Sequence, residues 1–425
     1  LSGLITPSLE EMVNVAAEME RTGMNIPLLI GGATTSEIHT AVKIAPQYSQ
    51  PVIHVKDASK SVGVVSALLS KSGKENFVAE YSEKYAQLRE KHESSRLEGK
   101  YIPLEQARTN SLKIDWNNSR ITRPAFLENR LFTDYDLAEI RQYIDWTFFF
   151  HSWRINGKYP AIFDDPIKGE EARKLFDDAN KMLDKIVAGK MLQANAVVGF
   201  WPAASLGDDV ELFADDTRGN TLATFRFLRN QQEKTEDIPN FSLADFIAPK
   251  DSGIADYLGG FAVTAGIGLE KWVEQFEAEN DDYSSIMIKI LADRLAEALA
   301  ELMHHRVRKE FWGYAAGESL EMEEILREKY QGIRPAPGYP ACPEHSEKRV
   351  LFDLLQAEEK AGILLTENFA MYPAASVSGY YFAHPQAQYF NLGRIGKDQV
   401  QDYARRKNLP VEEVERLLNV NLNYK

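Results

Sequence analysis

The stretch SSIMIKILADRLAEALAELMHHRVRKEF, residues 284–311, predicts the longest helix of this chain. Its apolar residues recur at helical spacing and form one stripe, which consists of Met287, Leu291, Leu295, Ala298, Leu299 and Leu302. Three acidic residues, Asp293, Glu297 and Glu301, follow one another at four-residue spacing beside this stripe. Such a row is typical of a solvated helix face. The alternative is that one of the three carboxylates faces a cationic ligand.

Further helices and strands precede and follow this helix. Helical patterns cover residues 137–144, 170–188, 346–361 and 397–418. Strand-like runs are AVVGFWPA (196–203), DVELFA (209–214), TLATFRFL (221–228), YLGGFAVTAG (257–266) and SGYYFAHPQAQYFNLGRI (378–395). Because these helices and strands do not alternate strictly, the region from about residue 101 predicts an α+β domain with an antiparallel sheet.

The first seventy residues have a different pattern, in which short apolar runs alternate with amphipathic helices. The runs LSGLI, IPLLI and PVIHV predict three strands, and Ser8 with Glu11 and Thr34 with Glu37 form capping boxes at two helix starts. This order predicts part of a doubly wound, flavodoxin-like α/β domain. Because the sequence starts directly with a strand-like run, we expect it to begin inside that domain. A highly charged helix and linker follow, so we predict domains at residues 1–94 and 95–425.

The composition excludes several classes of protein. The net charge is −14 and we find no cluster of Lys and Arg, which argues against a nucleic-acid partner. The single cysteine, Cys342, excludes internal disulfides and multi-cysteine zinc sites and favours a reducing, cytoplasmic setting. No apolar run is long enough to span a bilayer. No nucleophile elbow or triad is present, and Cys342 is interpreted as a packed residue without catalytic function.

Basic residues gather at the end of the long helix. They are His304, His305, Arg306, Arg308 and Lys309. Side chains of this kind suit the negative end of a helix dipole. The eight histidines of the chain show no His-Glu-x-x-His or similar spacing, so we predict no metal site.

Small and polar residues follow the three N-terminal strands, at the edge where a doubly wound sheet binds its ligand. Ser2 and Thr6 belong to the first strand, Gly31 and Gly32 follow the second, and Ala58 follows the third. By residue type alone they predict tight turns and helix caps. The alternative is a ligand site in which glycine lets the ligand approach the backbone closely.

The stretch IRPAPGYPACPEH, residues 333–345, contains four prolines and is predicted to be irregular, because proline fixes φ and removes a backbone donor. Arg334 offers a guanidinium to a carboxylate, and Gly338 permits a tight turn beneath a small zwitterionic ligand. The alternative is a rigid turn in which Arg334 forms a salt bridge. Similarly, Asp145 lies among aromatic residues and either caps a helix or receives the amino group of a ligand.

The motif Arg-x-x-x-Gly-Tyr at residues 334–339 resembles the S-adenosylmethionine-binding motif in the reactivation domain of cobalamin-dependent methionine synthases. Other stretches similar to that domain are DWTFFF (145–150), ADYLGGFAVTAG (255–266), HHRVRKEFWGY (304–314) and ASVSGYYFAHP (375–385). Ser2-x-Leu4, followed after twenty-six residues by Gly31-Gly32, resembles the cobalamin-binding signature of methylmalonyl-CoA mutase and methionine synthase modules. Together these resemblances extend over the whole chain and imply the C-terminal part of the methionine synthase family.

The resemblance implies an S-adenosylmethionine site. Arg334 would bind the methionyl carboxylate, Asp145 would take the amino group, and the backbone around Ala336 would serve the adenine. The remaining implied residues are Gly338, Tyr339, Tyr389, Phe390, Glu297 and Glu328. Phe390 stands where the family usually has a second tyrosine, which leaves only its backbone or ring as a contact. Glu297 and Glu328 would neutralise the sulfonium or pair with Arg334.

The resemblance also implies a cobalamin-binding unit. Ser2 and Thr6 would contact the nucleotide tail, Gly31 and Gly32 would make room for it, and Ala58 would complete the site. The part of the signature that carries the cobalt-ligating histidine is missing from this chain, as are the family's folate, homocysteine and zinc modules. This remnant by itself is therefore not expected to hold cobalamin tightly.

The implied function is reductive methylation of cob(II)alamin to methylcobalamin, with a methyl group from S-adenosylmethionine and an electron from flavodoxin. This restores the methylation of homocysteine to methionine. The implied partners are flavodoxin and the remaining modules of the same polypeptide, and the fragment is expected to be monomeric. Since flavodoxins are acidic, we predict a basic docking patch at Arg306, Arg308 and Lys309.

Two other hypotheses belong to different classes. A regulatory module would bind S-adenosylmethionine without turnover, and methyl transfer to added cob(I)alamin distinguishes it from the first hypothesis. A general methyltransferase would need a glycine-rich loop after its first strand. The only glycine pair after a strand is Gly31-Gly32, and its spacing is wrong for that class.

Overall fold

The computed structural model describes residues 1–3, 7–32, 34–56, 58–70, 73–98, 100–235 and 237–424, without the side chains of residues 7, 58, 59 and 91–98. These residues form two units, Leu1–Ile102 and Pro103–Lys425. The predicted boundary between residues 94 and 95 lies inside a helix, Lys74–Glu98, because the Glu, Arg and Leu residues there favour continued helix. The functions assigned to the two domains stay predictions.

The first unit contains a small parallel sheet and helices. Its helices are α1 (Pro7–Arg21), α2 (Glu37–His39), α3 (Ala58–Leu69) and α4 (Lys74–Glu98), and its strands are β1 (Leu28–Ile30) and β2 (Val52–His54). β1 pairs with β2 in parallel, with Leu29 opposite Ile53. Ser2 forms a parallel bridge with Gly31 at the end of β1. The predicted parallel pairing is therefore present, and the doubly wound assignment stays a prediction.

Both predicted capping boxes of the first unit are wrong. Helix α1 begins at Pro7, so Ser8 lies inside the helix. Proline is favoured at a first helical position because its missing N–H would have no partner there. At α2 the N-cap is Ser36, whose hydroxyl oxygen accepts a hydrogen bond from the His39 N–H at 3.1 Å. A turn of π-helix, Thr40–Ile44, then continues the predicted helix.

The second unit contains most of the regular structure. Its helices are α5 (Leu104–Thr109), α6 (Leu137–Ile140), α7 (Trp146–Ser152), α8 (Gly169–Ala188), α9 (Leu269–Ala278), α10 (Asp282–Arg306), α11 (Met322–Leu326), α12 (Glu347–Leu355), α13 (Ala357–Ala361), α14 (Lys397–Lys407) and α15 (Val411–Leu417). Its strands are β3 (Arg130–Phe132), β4 (Gln193–Leu206), β5 (Asp209–Phe213), β6 (Thr221–Arg226), β7 (Asp256–Ile267), β8 (Leu364–Leu365), β9 (Met371–Tyr372) and β10 (Ser376–Tyr381).

A six-stranded antiparallel sheet organises this unit, in the order β10-β7-β4-β5-β6, with β3 paired to β4. Side chains alternate between its faces: Val198 and Val263 pack with helices α8 and α10, whereas Val197 and Ala262 pack with α12. Helices cover both faces, so the central strands are buried along almost their whole length. The predicted α+β fold with an antiparallel sheet is confirmed.

Three predicted elements differ most from the structure in extent. The helix predicted for 346–361 divides into α12 and α13 at Gln356, where φ is +54°. The helix predicted for 397–418 divides into α14 and α15, because Asn408 has φ of +56° and Pro410 follows it. The strand predicted for 378–395 ends at Tyr381. None of the helices in the described ranges has both the length and the apolar composition of a membrane-spanning segment.

Candidate functional site

The proline-rich stretch begins as an extension of the sheet edge at β10. Ile333 and Phe382 exchange two backbone hydrogen bonds of 3.0 Å, and the Tyr380 N–H donates to the Pro335 carbonyl at 2.9 Å. A Cβ on Gly379 would lie 2.7 Å from that carbonyl oxygen. Glycine at position 379 therefore lets the stretch lie close to the strand, and the irregular chain starts from a fixed backbone.

A tight turn follows at residues 336–342. The carbonyl of Ala336 accepts hydrogen bonds from the Tyr339 N–H at 3.1 Å and from the Cys342 thiol at 3.0 Å. The Gly338 N–H donates to the Cys342 carbonyl at 2.8 Å. Burial raises the pKa of the Cys342 thiol. Cys342 is thus a packed residue of the turn, as predicted, and its thiol is not activated.

Gly338 is required by two features of this turn. Its φ is +97°, which side chains rarely adopt, and a Cβ would lie 2.3 Å from the Cε1 atom of His345. We expect Gly338→Ala to lower the free energy of unfolding by about 2–4 kcal/mol through combined backbone strain and overpacking. Urea unfolding measures this change.

Gly393→Ala is the matched control for that experiment. Gly393 also has a positive φ, +69°, but no atom lies within 4 Å of an added Cβ. It should show only the backbone strain, about 1 kcal/mol. Equal losses in the two variants would contradict the role of the His345 contact.

Arg334 lies directly before the turn and is held at both ends. Its N–H donates to the Tyr389 hydroxyl oxygen at 3.0 Å, and its Nη2 donates to Oε2 of Glu301 at 3.0 Å. Burial acts to lower the pKa of Arg334, but the carboxylates of Glu301 and Glu297 outweigh it and raise this pKa. The guanidinium is therefore a permanent cation, and its side chain is 21% exposed.

The three acids of helix α10 have different environments, and the solvated face predicted for them is wrong at Glu301. Asp293 is exposed, Glu297 is half-buried and Glu301 is only 6% exposed. Glu301 is the carboxylate that faces a cation, and the cation is Arg334 of the same chain. Periodicity places the acids beside one another along the helix but does not reveal which part of the helix is covered.

Arg308 extends this pairing into the interior. Its Nε and Nη2 donate to the carboxylate of Glu318 at 3.0 and 2.9 Å, and its Nη1 lies 3.7 Å from Oε1 of Glu301. The guanidinium also lies over the ring of Tyr330, 4.1 Å from its centroid. Arg334, Glu301, Arg308 and Glu318 thus form a row of alternating charges, which we call the buried charge network.

Burial corrects two predictions made for the end of helix α10. Arg308 is completely buried, so it cannot belong to a basic docking patch with Arg306 and Lys309. His304 is also completely buried, and burial together with Arg308 keeps its pKa well below the usual value. His304 is therefore neutral and does not act as a cation at the helix dipole. Its ring stacks on that of Tyr381, with centroids 5.4 Å apart.

Residues 136–408, which contain the turn and the buried charge network, match the family described as "Vitamin B12 dependent methionine synthase, activation domain". The chain belongs to this family. It is also similar to a solved protein, described as the crystal structure of the MetH reactivation domain bound to AdoHcy. The two are 51% identical with a TM-score of 0.75, and the match covers 76% of this chain and 99% of that one. The predicted resemblance to the reactivation domain is confirmed, and it relates the chain to a methyltransferase of methionine biosynthesis. The resemblance of the first unit to a cobalamin-binding signature stays a prediction.

Several other residues implied by the family resemblance lie around Arg334. Tyr339 is 58% exposed, and partial desolvation together with the nearby carboxylate of Glu297 raises its pKa. Burial raises the pKa of Glu328, while Arg334 acts to lower it. Tyr389 is held by its hydrogen bond to the Arg334 backbone. The fold therefore brings Arg334, Tyr339, Tyr389, Glu297 and Glu328 into one region.

Asp145 and Phe390 have structural contacts of their own. The Asp145 carboxylate caps helix α7 and accepts a hydrogen bond from the Thr147 N–H at 2.8 Å. The ring of Phe390 stacks on Phe241, with centroids 5.6 Å apart. Within the described chain, the Asp145 carboxylate forms no hydrogen bond with Arg334. Their contacts with a ligand stay predictions of the resemblance to the activation domains.

The predicted cobalamin residues of the first unit are partly described. A Cβ on Gly32, where φ is +107°, would lie 2.4 Å from the Gly3 backbone, so glycine lets the strand ends approach each other. Gly31 is bridged to Ser2. Ala58 is the first residue of α3, and Thr6 lies outside the described residues. Among the described residues, no three His, Cys, Asp or Glu side chains are grouped to hold a metal ion.

The sequence did not point to Arg308, Glu318 or Tyr330 as parts of this network. Arg308 follows Glu301 at the spacing of two helical turns, which places both on one helix face and was a usable signal. Glu318 and Tyr330 lie on irregular segments. No periodicity predicts the direction of side chains there.

Proposed function

We propose that this chain binds S-adenosylmethionine and supports the reductive methylation of cob(II)alamin to methylcobalamin in a cobalamin-dependent methionine synthase. This step restores the methylation of homocysteine to methionine. The observation that carries the proposal is Arg334, which lies directly before the proline-rich turn, is held there by Tyr389 and has a side chain that is 21% exposed. The ligand of the 51% identical neighbour, AdoHcy, is what remains of S-adenosylmethionine after its methyl group has left.

The residues of the turn suit the two ends of such a ligand. The Arg334 guanidinium has five N–H donors, of which Glu301 accepts one, so donors remain for the methionyl carboxylate. Glu297 and Glu328 place negative charge near Arg334, which suits a ligand with a sulfonium and an ammonium group. We assign the amino group to Asp145 and contacts with the adenosyl part to Ala336, Gly338, Tyr339, Tyr389 and Phe390.

The chemistry of the ligand explains why no catalytic acid, base or nucleophile is needed. Bound cobalamin, once reduced by one electron from flavodoxin, would supply the nucleophile for the methyl group, and S-adenosylhomocysteine would be the leaving group. The residues of this chain hold the sulfonium in place and balance its charge. Positioning and electrostatics are therefore the whole of their contribution.

We also propose that the first unit is the C-terminal part of a flavodoxin-like cobalamin-binding domain. In its support, the segment around Ser2, β1 and β2 pair in parallel in chain order, and Gly31 and Gly32 lie at the end of β1. Cobalamin would contact these glycines together with Ser2, Thr6 and Ala58. The same proposal includes two kinds of partner, flavodoxin and the remaining modules of the polypeptide. It also includes a cytoplasmic location and a monomeric state.

Calorimetric titration with S-adenosylmethionine tests the proposed binding. We expect one-to-one binding, with S-adenosylhomocysteine competing for the same site. No binding by the unaltered chain would overturn the proposal. Methyl transfer is tested separately by adding chemically reduced cob(I)alamin and following methylcobalamin by its absorption spectrum. Binding without transfer would favour the second candidate, a regulatory module. Such a module would need no catalytic group in the turn.

A further inference from the structure

The buried charge network continues from Arg334 through Glu301 and Arg308 to Glu318. We propose that Glu301 is a positioning residue, which fixes the Arg334 guanidinium for the ligand carboxylate and is itself fixed by Arg308 and Glu318. This inference rests on the proposed function, because it concerns how the same site selects a ligand that carries a carboxylate.

The geometry gives each oxygen of Glu301 a different arginine. Oε2 accepts the hydrogen bond of Arg334 at 3.0 Å, and Oε1 lies 3.7 Å from Nη1 of Arg308. Glu318 occupies the other donors of Arg308, Nε and Nη2, in a bidentate pair. The orientation of Arg308 is thereby set from one side, and Glu301 is held between two cations.

This arrangement prepares Arg334 for binding. A free arginine side chain has many rotamers and loses this freedom when it grips a ligand. Glu301 removes part of that freedom beforehand, since Arg334 is tied at its Nη2 and at its backbone N–H. The planar guanidinium of Arg334 then meets the carboxylate of the ligand in one orientation, which favours bidentate recognition.

Glu301 has an alternative role, as a competitor whose charge keeps Arg334 away from the ligand. A competitor would have to leave Arg334 when the ligand binds. The burial of Glu301 argues against this role, because a carboxylate that is 6% exposed and shared with Arg308 has little room to move. The two roles predict opposite results for Glu301→Gln. Loss of a positioning group weakens recognition of the ligand carboxylate, whereas loss of a competitor strengthens it.

Binding of two ligands separates these roles. We would measure the dissociation constants of S-adenosylmethionine and of decarboxylated S-adenosylmethionine, which lacks only the carboxylate. For the unaltered chain we expect the ratio of the two constants to favour S-adenosylmethionine at least about tenfold. Glu301→Gln should reduce this ratio at least about fivefold. Asp293→Asn removes an exposed carboxylate of the same helix and should leave the ratio unchanged.

A general loss of structure would lower both affinities together and leave their ratio unchanged, so an unchanged ratio in Glu301→Gln overturns the inference. A larger ratio overturns it as well. If Glu301→Gln does not fold, Glu318→Gln loosens Arg308 from the far side and should lower the ratio in the same direction. No binding of S-adenosylmethionine by the unaltered chain would remove the proposed function and this inference with it, whereas binding with an unchanged ratio would remove the inference alone.

Discussion

Arg334→Ala is expected to weaken the binding of S-adenosylmethionine roughly 10- to 150-fold. A hydrogen bond to a charged partner contributes about 1.5–3 kcal/mol, and this variant removes the guanidinium that would pair with the methionyl carboxylate. It also leaves Glu301 without its 3.0 Å partner, which lowers the preorganisation of the turn. Calorimetric titration of both chains measures the change.

Two controls sharpen that result. Arg327→Ala removes a nearby arginine whose side chain is 63% exposed and pairs with Glu323 on the surface, so we expect no change in affinity. Decarboxylated S-adenosylmethionine should bind the Arg334→Ala variant almost as well as it binds the unaltered chain. Equal affinity of Arg334→Ala and the unaltered chain for S-adenosylmethionine would exclude Arg334 from the ligand site.

Arg308→Ala is expected to have the largest effect on stability, a loss of about 3–5 kcal/mol in the free energy of unfolding. The side chain is completely buried, and its removal leaves the carboxylates of Glu318 and Glu301 in the interior without their shared cation. Removing one member of a buried ionic network lowers the free energy of unfolding by more than the intact network contributes to it, because the remaining charges stay desolvated. Urea unfolding with two spectroscopic probes measures the loss.

Arg306→Ala is the comparison for this variant. Arg306 lies two residues earlier and is 29% exposed at its side chain, where it pairs with Glu310 and donates to the Tyr135 hydroxyl at 2.9 Å. Its loss should therefore cost about 1–2 kcal/mol, less than the loss of the completely buried Arg308. A similar loss of stability in Arg306→Ala and Arg308→Ala would mean that the burial of the network does not determine how much stability is lost. Full stability of Arg308→Ala would contradict the arrangement of the network itself.

The regular elements of the second unit were largely predictable. Helix α10 and strands β4 and β7 follow from periodicity because side chains of one face repeat at 3.6 or 2 residues and must share an apolar environment. The irregular backbone of residues 333–345 was also predictable, since proline excludes helix interiors and central strands whatever surrounds it. Helix ends were less accurate: Gln356 has no local signal for its positive φ, which divides a predicted helix.

The candidate site was predicted mainly through motif resemblance, and the environment of each charge was not. Asp293 and Glu301 have the same type of side chain and similar places on one helix, but one is exposed and the other is buried against Arg334. Arg308 carries a charge typical of surfaces and is completely buried. Each outcome depends on which segments, distant in sequence, cover the helix.

Local chemistry in this sequence therefore determined the helices, the strands, the rigid turn and the position of its arginine. These properties depend on neighbouring residues and on the backbone dihedral angles that each residue type prefers. Only the tertiary structure decided that Glu301, Arg308 and Glu318 join Arg334 in one buried network. The burial of a charge is favourable only when opposite charges from distant segments meet it, and the packing of the whole unit determines whether they do.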